Sequence, residues 1–183
     1  RPTNTFLLAG NYQSHIIEDA GGKAVNKAEI TPRVFMKPPT AVIGTGDPIL
    51  IPEVSDTVDY ELEIAAVIGK PAKNVSLADA NQYIAGYMVF NDVSARGLNT
   101  VAHRKPRPLD GYNDWLIGKW CDSFAAVGPY LITSDEIPDP ADLDSSADLD
   151  AGADLDALPH RDHHHDAGRL SAQRLYACGR AGL

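Results

Sequence analysis

With 183 residues, 44% of them hydrophobic and 22% charged, the chain is long enough to bury one core and has the composition of a single globular domain. A formal net charge of −9, with no Lys/Arg-rich face or aromatic-interleaved basic stretch, argues against nucleic acid and anionic membrane as partners. Two cysteines, Cys121 and Cys178, stand in no metal or disulfide spacing, which fits a reducing cytoplasm, and the longest apolar runs fall far short of the roughly 20 residues that span a bilayer. The opening Arg1-Pro2-Thr3-Asn4-Thr5 has neither an initiator Met nor an apolar h-region, so a trimmed or incomplete N-terminus is expected rather than a signal peptide.

Short β-rich runs punctuated by Gly and Pro dominate residues 1–140. Phe6-Leu7-Leu8 reads as a strand leading into a helix from Tyr12 to Asp19, and Gly21-Gly22 and Thr31-Pro32 bracket a loop. Val34-Phe35-Met36, Thr40 to Ile43 and Ile49-Leu50-Ile51 read as strands, separated by Lys37-Pro38-Pro39 and by the turn Gly44-Thr45-Gly46-Asp47-Pro48. Val58 to Ile68 reads as one strand, with Glu61 and Glu63 on the same parity and therefore on one face. Ser76 is an N-cap with Asp79 at the acidic third position, so a helix is predicted from Leu77 to Tyr83, followed by a strand from Ile84 to Phe90 that ends on Asn91-Asp92. Thr100 to Asn113, rich in Arg, Lys, Pro and Gly, is expected to be a mobile loop able to act as a lid. Order should resume at Trp115 to Lys119, with a strand pair between Phe124 and Thr133.

At about Ala141 the composition changes: Ala-Asp-Leu-Asp occurs at 141–144, 147–150 and 153–156, followed by His160, His163, His164 and His165. An acidic, His-rich, low-complexity tail over 141–183 is expected to be disordered, since it offers few large apolar side chains to a core. The six Asp residues of the repeat lack the Gly turn and closing Glu of a calcium loop.

Two carboxylates on one strand face repel each other unless a positive charge lies between them. From spacing alone two readings of Glu61 and Glu63 stand level: ligands of a hard divalent cation completed by Asp92, or an exposed face pointing to water. His15 and Glu18, at i and i+3, would share one face of a helix, where the carboxylate can polarise the imidazole for general-base work; a capped surface helix with an incidental His has the same pattern. Arg96, four residues beyond Asp92, and Lys119, after Ile117-Gly118, are either surface charges or holders of a substrate carboxylate and an oxyanion.

The order and wording of these fragments resemble the fumarylacetoacetate hydrolase family over roughly residues 6–140. The matching stretches are Gly10-Asn11-Tyr12 with His15-x-x-Glu18, Phe35-Met36-Lys37-Pro38, Val58-Asp59-Tyr60-Glu61-Leu62-Glu63, Ile68-Gly69-Lys70, Ala85-Gly86-Tyr87, Asn91-Asp92-Val93-Ser94-Ala95-Arg96 and Gly118-Lys119. The resemblance implies an α+β fold, a mixed β-roll of the fumarylacetoacetate hydrolase type, carried by a partial catalytic domain over 1–140. From about Ser145 the family's further strands are not found, so a C-terminally truncated domain is expected, of the kind a coding-frame disruption there would produce.

The same resemblance puts Glu61, Glu63 and Asp92 on the metal ligands, His15 and Glu18 on the water-activating dyad, and Arg96 and Lys119 on substrate contacts. Asn99 stands where the family often has the longer Gln. It further implies Mg2+ or Mn2+ as cofactor, with Ca2+ as an alternative, a small keto-acid substrate and a homodimer. The expected reaction is hydrolysis of a carbon–carbon bond in an acylpyruvate-like 1,3-diketo acid through a metal-stabilised enolate, with His15 activating water and Lys119 neutralising the oxyanion. Isomerisation or decarboxylation of 2-hydroxy-dienoates or oxaloacetate is the alternative within the family, and a metal-binding remnant without turnover is the alternative outside it.

Overall fold

The computed structural model describes residues 2–13, 16–17, 20–98, 103–137, 139–140 and, for the backbone, 169–171. Two compact units divide the chain, one ending at Thr40 and one beginning at Ala41.

In the first unit, β1 (Thr5–Ala9) and β2 (Arg33–Lys37) pair antiparallel, with Thr5 opposite Lys37 and Ala9 opposite Arg33. Between them the N–H of Ile16 donates to the carbonyl of Tyr12 and that of Ala20 to Ile16, the i to i−4 pattern expected of the helix read from the sequence.

The second unit is mostly β. It holds β3 (Val42–Ile43), β4 (Pro48–Leu50), β5 (Val58–Asp59), β6 (Leu62–Ile68), β7 (Ile84–Asp92), β8 (Ser94–Ala95), β9 (Ala125–Val127) and β10 (Ile132–Thr133). One α-helix, α1 (Asp110–Lys119), packs on β8. β7 is the axis of a five-stranded sheet: β6 pairs along one edge of it, β9 and β10 pair with the two ends of its other edge, and β3 joins parallel to β9. Ser76 caps a 3-10 helix over Leu77–Tyr83, its hydroxyl accepting from the N–H of Asp79 as the sequence predicts. Ile49, Val93, Ala95 and Phe124 form a buried core, with Ile43, Val58 and Leu98 against it.

Two differences from the sequence reading bear on function. The single strand expected over 58–68 is two, because β5 pairs with β8 while β6 pairs with β7, and Tyr60 and Glu61 lie between them. The register is nevertheless continuous: Leu62 faces Asn91, Asp59 faces Ser94 and Val58 faces Ala95, so the two chain stretches stay in step across the break. The loop expected over 100–113 ends early, since α1 begins at Asp110, and residues 99–102 lie outside the described ones. That start is hidden in the sequence because Leu109, in a left-handed conformation, offers no capping side chain; Asp110 instead accepts from the N–H of Arg107 at 2.7 Å. The expectation for the tail falls almost wholly outside the described residues; those three that are described form β11 (Arg169–Ser171), antiparallel to β4 with Arg169 opposite Leu50.

Candidate metal and substrate site

The continuous register sets the site. Residues directly opposite in an antiparallel pair project to one face, and residues two apart along a strand do so as well. The N–H of Asp92 donates to the carbonyl of Glu61 at 2.8 Å, which makes these two residues neighbours across the break. The N–H of Arg96 donates to the carbonyl of Thr57 at 2.7 Å, which fixes the same register at the other end. Thr57, Asp59, Glu61 and Glu63 therefore share a face with Arg96, Ser94 and Asp92. The parity argument that grouped Glu61 with Glu63 holds through the break between β5 and β6, and it extends to Asp59.

Lys119, the last residue of α1, closes this face from the side. Its ammonium donates to Glu61 Oε2 at 2.5 Å and to Asp92 Oδ2 at 2.8 Å. Lys119 and Asp92 are each only 2% exposed, so this is a buried ion pair whose charges must compensate each other. Gly118 makes the approach possible, because a Cβ at that position would collide with the carbonyl oxygen of Ala95 on β8. Arg96 lies on the solvent side of the cluster. Its Nε and Nη2 donate to Asp59 Oδ2 at 3.2 and 3.0 Å, and Nη2 also donates to Glu61 Oε1. Glu61 thus accepts from Arg96 on one oxygen and from Lys119 on the other.

Burial pushes the Glu61 carboxyl up, but the hydrogen bond and charge of Lys119, with the charge of Arg96, outweigh it and hold the group below its ordinary value. Glu61 is accordingly an anion at neutral pH. Desolvation pulls the Arg96 guanidinium down, and Glu61 and Asp59 together raise it above its usual value.

Arg96, Lys119, Ser94, Leu98, Asp114 and Trp115 line a cleft of about 420 Å³, a size suited to a small molecule. Trp115 forms an apolar wall, with the Lys119 ammonium 5.6 Å from its ring centre and the ring of Tyr112 stacked on it at 5.8 Å. Asp114 is held at the cleft by Arg104, at 2.5 Å. Asp59, Asp114 and Trp115 were not picked out as site residues from the sequence. Asp59 carried a usable signal, its shared parity with Glu61 and Glu63; Asp114 and Trp115 carried none, since their place depends on how α1 packs on β8.

Of the residues expected at the site, Glu61, Asp92, Arg96 and Lys119 come together. Glu63 projects from the same face two residues along β6. His15, Glu18 and Asn99 lie outside the described residues. Among the described residues no three His, Cys, Asp or Glu side chains stand close enough together to hold a metal ion. The donor chemistry fits a hard divalent cation all the same, because Glu61, Glu63 and Asp92 offer only carboxylate oxygens on one face. In this structure the Lys119 ammonium supplies the positive charge between Glu61 and Asp92.

A strand-borne carboxylate cluster stands beside a small cleft, and Arg96 and Lys119 belong to both. Comparison with known proteins makes the class specific: the profile of the fumarylacetoacetate (FAA) hydrolase C-terminal family matches residues 4–160, and the chain belongs to that family. An uncharacterized protein of Pyrococcus horikoshii is 41% identical over 144 residues, which is 79% of this chain and 57% of the relative. The mitochondrial oxaloacetate tautomerase of Xenopus laevis is 39% identical over 142 residues, 78% of this chain and 40% of the relative. Among solved structures, a 5-carboxymethyl-2-hydroxymuconate delta-isomerase from Mycobacterium smegmatis is 36% identical with a TM-score of 0.55, over 79% of this chain and 49% of that one. The chain therefore spans 40–57% of the length of these two curated relatives.

Proposed function

We propose that this chain carries the cation- and substrate-binding part of an enzyme that interconverts the keto and enol forms of a small 2-keto acid. The observation that supports it most directly is the interleaving of charges at the cleft edge: Lys119 between Glu61 and Asp92, and Arg96 between Glu61 and Asp59. A keto acid presents a carboxylate and a neighbouring carbonyl oxygen. The planar Arg96 guanidinium suits the carboxylate, and the Lys119 ammonium suits the carbonyl oxygen, where negative charge grows as the enolate forms. The Trp115 wall limits water on the apolar side of the ligand. A hard divalent cation held by Glu61, Glu63 and Asp92, Mg2+ or Mn2+ first, would supply Lewis-acid stabilisation of that same oxygen charge.

Tautomerisation or isomerisation is placed first because two of the relatives bear the names oxaloacetate tautomerase and hydroxymuconate isomerase. Hydrolysis of an acylpyruvate-like diketo acid is the second reading. It rests on the His-x-x-Glu spacing of His15 and Glu18, which would take a proton from water ahead of carbon–carbon cleavage. We also propose the cytoplasm as the compartment, on the cysteine usage; among the described residues no helix is long and apolar enough to cross a membrane.

The test is an assay of the full chain with Mg2+ or Mn2+ on enol-oxaloacetate, a hydroxymuconate and an acylpyruvate. Turnover of either of the first two, with no pyruvate released from the third, supports keto–enol chemistry. Pyruvate release that His15→Ala lowers by about 10²–10⁴-fold, with metal affinity unchanged, makes the protein a hydrolase instead. Metal binding without turnover of any of the three leaves a binding remnant and overturns both readings.

A further inference from the structure

We infer that Asp59 is a positioning residue that holds Arg96 at the cleft when Glu61 is drawn to another cation. The inference rests on the proposed reading of the site as one for a keto acid beside a metal. Glu61 is contested: it accepts from Arg96 on one oxygen and from Lys119 on the other, and it is also an expected metal ligand. A residue pulled between three cations is a poor sole anchor for any of them. Among the described residues Asp59 pairs with no cation besides Arg96. Its side chain receives both Nε and Nη2 of Arg96 on a single oxygen, and its other oxygen accepts the N–H of Tyr60 at 2.9 Å.

Geometry favours this division of labour. The Arg96 backbone is tied to Thr57, so its side chain runs along the shared face and meets Asp59 before it reaches Glu61. Arg96 lines the cleft and Asp59 does not, so Asp59 acts on a ligand only through the guanidinium. With Nε and one N–H of Nη2 committed to Asp59, Nη1 is left to meet a ligand carboxylate, joined by the second N–H of Nη2 once Glu61 turns to another cation. The Asp59–Arg96 pair is roughly half exposed, at 47% and 43%, so its worth lies in orientation rather than in stability.

Oxalate, an unreactive planar mimic of a 2-keto acid's carboxylate and enolate oxygens, tests this without turnover. Its binding to the full chain in saturating Mg2+ is measured by calorimetry for wild type, Asp59→Asn, Asp59→Glu, Arg96→Ala and the Asp59→Asn/Arg96→Ala pair. Arg96→Ala should weaken oxalate by about ten- to hundredfold, the loss of a charge-assisted contact. Asp59→Asn should weaken it by about threefold, Asp59→Glu should recover most of that, and the double variant should be no worse than Arg96→Ala alone. Unfolding midpoints within a degree or two of wild type should accompany Asp59→Asn. Losses that add in the double variant, or an Asp59→Asn chain that binds oxalate like wild type, overturn the positioning role alone. A wild-type chain that takes up Mg2+ and no oxalate overturns the proposed site and this inference with it.

Discussion

At the scale of single residues, the buried pair of Lys119 and Asp92 concentrates the most consequence. Removing one partner of a buried ion pair leaves the other charge uncompensated, which costs far more than the pair itself contributes. Lys119→Met is therefore expected to destabilise the metal-free chain by about 3 kcal/mol, read by urea denaturation. Added Mg2+ should recover part of that loss, because the cation then supplies the charge that Lys119 supplied. A variant as stable as wild type, or one indifferent to Mg2+, would remove the ammonium from its role between the carboxylates. Glu61 gives a pH signature. Its folded-state pKa is depressed, so its contribution to stability is complete above the ordinary value of about 4.5 and is lost as pH falls through the lower folded value. Glu61→Gln should flatten the stability profile below pH 4.5 relative to wild type and leave the profile near neutrality parallel. Metal affinity separates the ligands from their neighbours: Glu61→Ala, Glu63→Ala and Asp92→Ala should each weaken Mg2+ severely by calorimetry. Unchanged binding in all three would remove the metal site.

At the scale of elements, the close approach of α1 to β8 decides where Lys119 sits. Gly118→Ala puts a methyl group against the Ala95 carbonyl, and overpacking of this kind costs about 1–3 kcal/mol. The expected outcome is a lowered unfolding midpoint together with weaker oxalate binding, since the helix end must move and the ammonium with it. The elements that the sequence revealed were those written in local chemistry. The Ser76 cap announced its 3-10 helix, and the alternation after Val58 announced a face bearing Glu61 and Glu63. The elements it concealed depended on distant partners. The break at Tyr60 falls where the pairing passes from β8 to β7, and Leu109 gives no local sign that a helix begins beside it. The cleft was illegible for the same reason: Trp115 and Asp114 reach it only through the packing of α1, whereas Lys119 was found by its resemblance to a family motif.

At the scale of the whole molecule, the sheet has one edge without a partner among the described residues. Among the described residues β6 pairs only with β7, so the row of backbone donors and acceptors from Leu62 to Ile68 has one unpartnered side. Exposed edges of this kind pair with whatever strand is offered. We propose a homodimer or higher oligomer on that ground, to be checked by sedimentation velocity across a range of concentrations. A sharp monomer that still unfolds cooperatively would count against it. Lys or Pro placed at an outward position of β6 should shift a self-associating chain toward monomer.

The stacking of Tyr112 on Trp115, with the Lys119 ammonium near the same indole, makes the helix an optical reporter. Indole emission responds to nearby charge, and Trp115 borders the cleft while sitting within 5.6 Å of the cation that Glu61 and Asp92 share. The chain has two tryptophans, and the second, Trp120, is 46% exposed, so Trp120→Phe would leave Trp115 as the single tryptophan, excited selectively at the red edge of indole absorption. Titrating that variant with Mg2+ and then with oxalate would resolve the two ligands as separate steps in intensity or colour, without a label and without a chemical reaction to follow.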